Sequence, residues 1–484
     1  MRPLLMLWLV ISLGACSGKD DPSDSPQDDT DTDTDADADA DTDADTDADA
    51  DVDTDTDTDT DTEGTGTTGD TGTPPDPPEV LSATCTASLV HPLLADCTLT
   101  LDGPGLAQVD VTLPDGTVRP YVSTDPTTAT PTIQLWGLKA DTSYTWAAGT
   151  TTDSVTTGSL PAALLAVDIA TTGATDAFDA ILRPLTCEGA RYLVMIDNDG
   201  DVVWFAENSI WNSGMHAYEW SPDTRTVMVS NHDHFEELAL DGTIGLTLDR
   251  GVDFDEPLHH DLARWGPYTY LLFEYNENSV WVDGIYVFEG STQIGEFKLG
   301  DHYVVDGGFG DWSHGNGIEN GDNGELTMSL LVFDTVLGVD GDPASPTFLD
   351  VAWSAGGTTS ALPGLDFAAG PGLLDGFNGQ HNATRRGDQL WVFDNLSAGL
   401  SRSARYSLTA AGEVLHEESW SFDNTCPIQG GAVPVGDGVL GTCVAVNDVR
   451  YFENGVPDAV WELEVQCGQV PGIGMNRAIP VQVW

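Results

Sequence analysis

The sequence predicts an all-β protein: a small β-sandwich over residues 79–160, then a six-bladed β-propeller over residues 165–484. Three observations predict it. Apolar and polar residues alternate in short runs bounded by Gly, Pro and Asp, with no helical period. After residue 165 the chain repeats a strand–turn–strand unit of roughly 45–65 residues, which is a blade-sized period. Histidines also recur at one phase of that repeat: LHHD at 258–261, SHGN at 313–316 and GQHN at 379–382, with MHAYEW beginning at Met215 one unit upstream.

The elements follow in chain order. Residues 1–15 carry Arg2, an apolar stretch from Leu4 to Leu13, and small residues before Cys16. That order is the order of a secretory signal, and the stretch is too short for a stable membrane span. Leu13-Gly14-Ala15-Cys16 resembles a bacterial lipobox, which implies cleavage before Cys16 and a lipid on its sulfur. The protein is thus expected as a lipoprotein of the bacterial cell envelope, facing periplasm or exterior, with the membrane touched only through this anchor.

Residues 16–78 read as a tether. Aspartate occupies every second position from Asp29 to Asp61, with Thr and Ala between. Like charges and scarce apolar surface leave nothing to offset the entropy of ordering. The run lacks the glycine turn and closing glutamate of a calcium loop. The whole chain has a net charge of −64, of which the tether holds about −22 and the folded part about −42. Such a surface repels nucleic acid and anionic lipid, which are excluded as partners.

Six cysteines remain beyond Cys16, and none has CxxC spacing. Neither a zinc site nor thiolate catalysis is expected, and no cofactor or metal is called for. The expected disulfides are Cys85–Cys97 in the sandwich, Cys426–Cys443 in one repeat, and Cys187–Cys467 joining the start of the repeats to their end.

Within 79–160, TIQLWGLKADTSYTW resembles the fibronectin type III signature, placing Tyr144 at a tyrosine corner. The first repeat, ARYLVMIDNDGDVVWF, holds a carboxylate-rich turn that reads as a hairpin with Gly200 at positive φ. The later repeats are anchored near His216, His260, His314, His381 and Gln429. The segment MNRAIPVQVW would close the ring by adding a strand to the first blade.

In a propeller, the first strand of each blade lines the axis, so residues at matching phase converge. Six residues separate His260 from Gly266 and His381 from Gly387, and seven separate His314 from Gly321. Strand neighbours point to opposite faces, which favours His260 over His259 as the channel residue.

PLHHDLARW, DWSHGNGIENGDNGELTMSL and GQHNATRRGDQLWVFDN resemble the blade motifs of the bacterial arylsulfate sulfotransferases. The resemblance covers most of the chain after residue 165. It implies ping-pong transfer of a sulfuryl group from an aryl sulfate donor to a phenolic acceptor, without a nucleotide sulfate. Carried over, His381 matches the histidine that becomes sulfated, while His260 and His314 match those that hold the sulfuryl oxygens and move protons. His216 and His259 would assist in binding.

One position departs from the family. Where the family has an arginine after the DWxHxN segment, this chain has Leu331 in MSLLVF. Arg385 and Arg477 are the candidates to replace it. Two further readings stand beside transfer: a binding propeller that has lost catalysis at Leu331, and a metal-dependent hydrolase using Asp261, Asn316 and Asn382 as oxygen ligands beside the histidines.

Overall fold

The computed structural model describes residues 77–484 except 188–189, 208–216, 306–309, 357–365, 368–375, 397–398, 410–412, 445–446, 467–476 and 483–484. The expected signal, Cys16 and nearly all of the tether therefore lie outside the described residues, as do His216 and Cys467. No helix among the described residues is long and apolar enough to cross a membrane.

The chain is all-β, built mainly of four-stranded antiparallel sheets of the β-propeller kind. It begins with two smaller sheets. One joins Val80–Ala87, Ala95–Leu101 and Thr132–Leu135; the other joins Val118–Val122, Gln108–Thr112, Ser143–Ala148 and Thr151–Thr156. Strand Ala95–Leu101 alternates buried with less buried positions, as a strand with one face on a core must. Cys85 and Cys97 are direct cross-strand partners and form a disulfide. The Tyr144 hydroxyl accepts the Lys139 N–H at 2.7 Å, five residues upstream.

Six larger sheets follow among the described residues. Their innermost strands are Ile479–Val481, Ala217–Ser221, Leu258–Trp265, Gly315–Asn320, His381–Arg386 and Gly431–Val435. Each of these strands touches the next in this order, and the last touches the first. The innermost strand of the first sheet comes from the C-terminal segment, with Ile479 opposite Leu182 and Val481 opposite Ala180. The sixth sheet gains an outermost strand from Asp168–Gly173. Both ends of the propeller segment are thereby stitched into sheets formed by the rest of it, which leaves fewer open edges.

Neighbouring sheets are fastened by one repeated device: an aromatic donor reaches a turn carbonyl of the next sheet. Trp204 Nε1 donates to Leu240 O, Tyr270 Oη to Gly341 O, Trp420 Nε1 to Val456 O and Trp461 Nε1 to Asn198 O, all at 2.8–3.0 Å. These rings fill the space between sheets and satisfy their own polar atom, which is the condition for burying Trp or Tyr.

The two small sheets share a hydrophobic core with the first propeller sheets. Trp136 packs on Trp220 at 5.6 Å between centroids, and His91 Nε2 lies 2.8 Å from Phe205 O. Lys139 inserts its ammonium among Asp197, Asp199 and Asp201 at 3.2, 2.7 and 2.8 Å. Gly200 in that hairpin has φ +91°, as the turn reading requires.

Candidate functional site

The inner strands of the third, fourth and fifth sheets enter the ring through the same irregularity. His260, His314 and Asn382 have φ of +54°, +48° and +47°, and Gln429, at the mouth of the sixth, has +57°. Register slips accompany the first three, between Leu258 and Leu262, Gly315 and Gly317, and His381 and Ala383. Left-handed backbone at a non-glycine residue costs of order 1–3 kcal/mol and persists only where surroundings impose it. Here it brings the rings of His260 and His314 together from neighbouring sheets, while Asn382 turns to Glu319 and the Ala432 N–H.

His260 lies between two other imidazoles, with ring centroids 4.9 Å from His259 and 4.9 Å from His314. The Nδ1 atoms of His259 and His260 are 2.6 Å apart, so one ring donates a proton to the other. This corrects the expectation that His259 points away from the axis. The slip at His260 cancels strict alternation, and both rings enter the cluster.

Each ring has an anchor. His259 Nε2 contacts Asp283 Oδ1 at 2.8 Å, and both residues are buried. Burial alone would lower the His259 pKa, but Asp283, with help from Glu274 and Asp311, raises it. Asp283 also accepts the Ser313 hydroxyl and, at 2.7 Å, the Gly315 N–H. Burial works to raise its pKa, yet the His259 contact and these donors hold it below the usual carboxylate value. His314 is held at Nδ1 by Asp311 and its side chain remains 29% exposed.

His381 is the recessed member. Its Nδ1 lies 3.0 Å from Asn395 Oδ1, and its Nε2 accepts the Gln429 N–H at 3.2 Å. An amide oxygen can only accept, so Nδ1 carries the proton and Nε2 the lone pair. Burial, then the neighbouring His314, push its pKa down to about 4, against a gain from Asn395. His381 is therefore neutral at ordinary pH and electrostatically coupled to His314.

Leu331 does sit beside this cluster. Its N–H donates to His314 O at 3.0 Å. Neither proposed arginine takes over there. Arg385 lies at the far end of its strand, bound to Glu325 at 2.9 Å and stacked on Trp353. Four strand residues span about 13 Å, which carries it away from His381. Arg477 is central, with both terminal nitrogens bound to carboxylates and its buried Nε without a hydrogen-bond partner among the described residues. It binds Asp261 through NH1, and Glu219 and Glu319 through NH2 at 2.8 and 2.7 Å. Arg402 lies at the same end of the fifth sheet as His381, and it is held by Asp394 at 2.8 Å and by Gly376 O.

Two of the three oxygen donors expected of a metal hydrolase are also engaged. Asp261 holds Arg477 and the Ile318 N–H, and Asn382 Oδ1 accepts the Ala432 N–H; Asn316 donates through Nδ2 to Gln380 O, while its buried Oδ1 accepts no hydrogen bond from the described residues. Among the described residues, one group of three His, Cys, Asp or Glu could close on a cation, and it is Asp197, Asp199 and Asp201, where Lys139 already sits. A cleft of about 560 Å³ lies between the fourth and fifth sheets among Asp322, Glu325, Asp350 and Arg385. It has no histidine, and its arginine is ion-paired.

Cys426 and Cys443 are bonded to each other. Cys187 is also in a disulfide; its expected partner Cys467 lies outside the described residues. Sequence reasoning missed Asp283, Asp311, Asn395 and the Gln429 amide. Asp283 had a signal: a lone carboxylate inside the apolar run VWVDGIYVF.

No protein-family model matches the chain, and no curated protein matches it. Solved structures do resemble it. A streptogramin B lyase is 10% identical with a TM-score of 0.36, over 63% of this chain and 88% of that one. Virginiamycin B lyase from Staphylococcus aureus is 12% identical with a TM-score of 0.32, over 79% and 93%. Apo AztD from Citrobacter koseri is 8% identical with a TM-score of 0.34, over 77% and 98%. The likeness concerns the β-propeller fold. No activity is transferred from these proteins.

Proposed function

We propose that the six large sheets are the blades of one closed propeller, that the N-terminal sheets form a fibronectin III-like sandwich, and that the histidine cluster transfers sulfuryl groups. The donor would be an aryl sulfate and the acceptor a phenol, as in the arylsulfate sulfotransferases the motifs resemble. The observation that carries this reading is the cluster of His259, His260 and His314 from two consecutive sheets, with the buried His381 of the next sheet carrying an Nε2 lone pair held by the Gln429 N–H.

In the first half-reaction, His381 Nε2 attacks sulfur while the S–O bond to the aryl group breaks. The leaving phenolate takes a proton from the cluster. His314, held by Asp311 at Nδ1, keeps Nε2 for that transfer. The sulfated ring keeps its Nδ1–H against Asn395, which stabilises the charge developing on it. The acceptor phenol then loses its proton to the cluster and attacks sulfur, breaking the N–S bond. The Gln429 amide must release Nε2 before attack, which places that loop on the reaction path. By its resemblance to a lipobox, Leu13–Cys16 would place the lipid anchor on Cys16, testable by fatty-acid labelling of the wild type against Cys16→Ser.

The deciding measurement is mass spectrometry of the His381 peptide after exposure to 4-nitrophenyl sulfate. A sulfated histidine supports transfer; its absence with every aryl sulfate tried would falsify it. A second reading is favoured by Leu331 and by the engagement of Arg385, Arg402 and Arg477: a propeller that binds sulfated or aromatic ligands without turnover. Activity appearing only in Leu331→Arg would select that reading.

A further inference from the structure

The described part of the propeller exposes few large apolar side chains, and they are unevenly placed. Trp281, Val304, Val332, Leu396, Leu400 and Ile428 all lie in the loops and strand ends on the face where the histidines converge, with Val252 in a neighbouring loop. Leu165 before strand Asp168–Gly173, Ile244 on an outermost strand and Leu415 on the fourth strand out from the ring lie elsewhere.

Several of these residues join the cluster through named contacts. Trp281 bridges to Asp311, the anchor of His314. Val332 donates its N–H to Ser313 O, and Leu331 beside it donates to His314 O. A side chain at Gly379 would meet Leu396 at 2.9 Å and Leu331 at 3.9 Å, so these two leucines flank the approach to His381. Ile428 precedes Gln429, whose amide holds His381 Nε2. Apolar surface thus stands where a guanidinium was expected, within a folded part whose net charge is about −42.

We infer that this rim selects substrates with a bulky, uncharged apolar body attached to the phenol or aryl sulfate. The inference rests on the histidine cluster being the substrate site. Water is released when an alkyl or second aryl group covers Leu331, Leu396 and Ile428, whereas a carboxylate on the same body would face the acidic envelope. Scattered single apolar residues need no explanation, but a group rimming a polar cluster does.

The test is calorimetric binding of three probes to the folded protein: phenol, 4-butylphenol and 4-(3-carboxypropyl)phenol. From about 0.8 kcal/mol per buried methylene, partial coverage should make 4-butylphenol about 30-fold tighter than phenol. The carboxylated probe should lose most of that gain. Leu396→Asp combined with Ile428→Asp should remove the gain and leave phenol binding in place, while Leu415→Asp, on the fourth strand out from the ring, changes neither. Equal affinity for phenol and 4-butylphenol, or an equal effect of Leu415→Asp, overturns the inference. If 4-butylphenol binds through the rim and no sulfated His381 forms, the rim stands and the transfer chemistry fails.

Discussion

His381 is defined by what surrounds its two nitrogens. With Nδ1–H facing Asn395 and burial holding its pKa near 4, the ring offers a lone pair across the physiological range. His381→Ala should lower kcat/KM by at least about 10³-fold in a sulfuryl-transfer assay, the scale expected for loss of a covalent nucleophile. The acid limb of kcat/KM should fall near pH 4 instead of near 6.5. The same shift affects stability. A histidine whose folded pKa is depressed favours the native state fully above its unfolded value of about 6.5, and loses that contribution as pH falls through about 4. The loss is at most about 3 kcal/mol, and urea titrations between pH 7 and 4 should show it in wild type but not in His381→Asn. Asp283 poses a different problem, since its carboxylate receives His259, Ser313 and Gly315 in a buried setting. Asp283→Ala should cost about 3–5 kcal/mol by leaving these partners unmatched.

At the scale of elements, the decisive features are irregular ones. Periodicity located the strands beginning at Leu258, Gly315 and His381, because alternation and turn residues are local signals. It misjudged His259, because a register slip depends on backbone conformation and leaves no trace in residue type. The loop carrying Gln429 shows a similar dependence. It is held by Asn395 Nδ2, which donates to Cys426 O at 2.6 Å and Gln429 O at 2.8 Å, and by the Cys426–Cys443 bond. Replacing both cysteines by serine should cost about 2–4 kcal/mol. It should also lower the reaction rate, because the loop holds the Gln429 amide against His381; a kcat effect absent at equal folding would oppose this.

For the molecule as a whole, the contacts that matter join distant parts of the chain. Arg477 binds carboxylates of the second, third and fourth sheets, and its own carbonyl accepts the Tyr218 hydroxyl. Burial raises the pKa of Glu219 and Asp261, opposed by Arg477. Raised carboxylates stabilise the native state below their unfolded values and lose that contribution as pH rises through the folded ones. Arg477→Met should destabilise by about 3–5 kcal/mol at pH 7, and less in acid, where the orphaned carboxylates take up protons. Denaturation midpoints at pH 5 and pH 7 would show whether the penalty shrinks. None of this was legible in sequence, where Arg477 and its partners are ordinary charged residues far apart. Likewise, Lys139 and the Asp197–Asp201 hairpin read as separate features until packing brought them together. The repeat, the histidines and two cysteine pairs could be read early because each leaves a regular spacing.

The seam formed by Ile479–Val481 also carries a consequence in time. Its partner Ala180–Cys187 is synthesised long before it, so the nascent chain must wait with its first sheet short of an inner edge. Until Arg477 arrives, three acidic side chains face one another across the axis with no cation to reconcile them. A newborn molecule would therefore complete its circle of inner strands only when its tail docks.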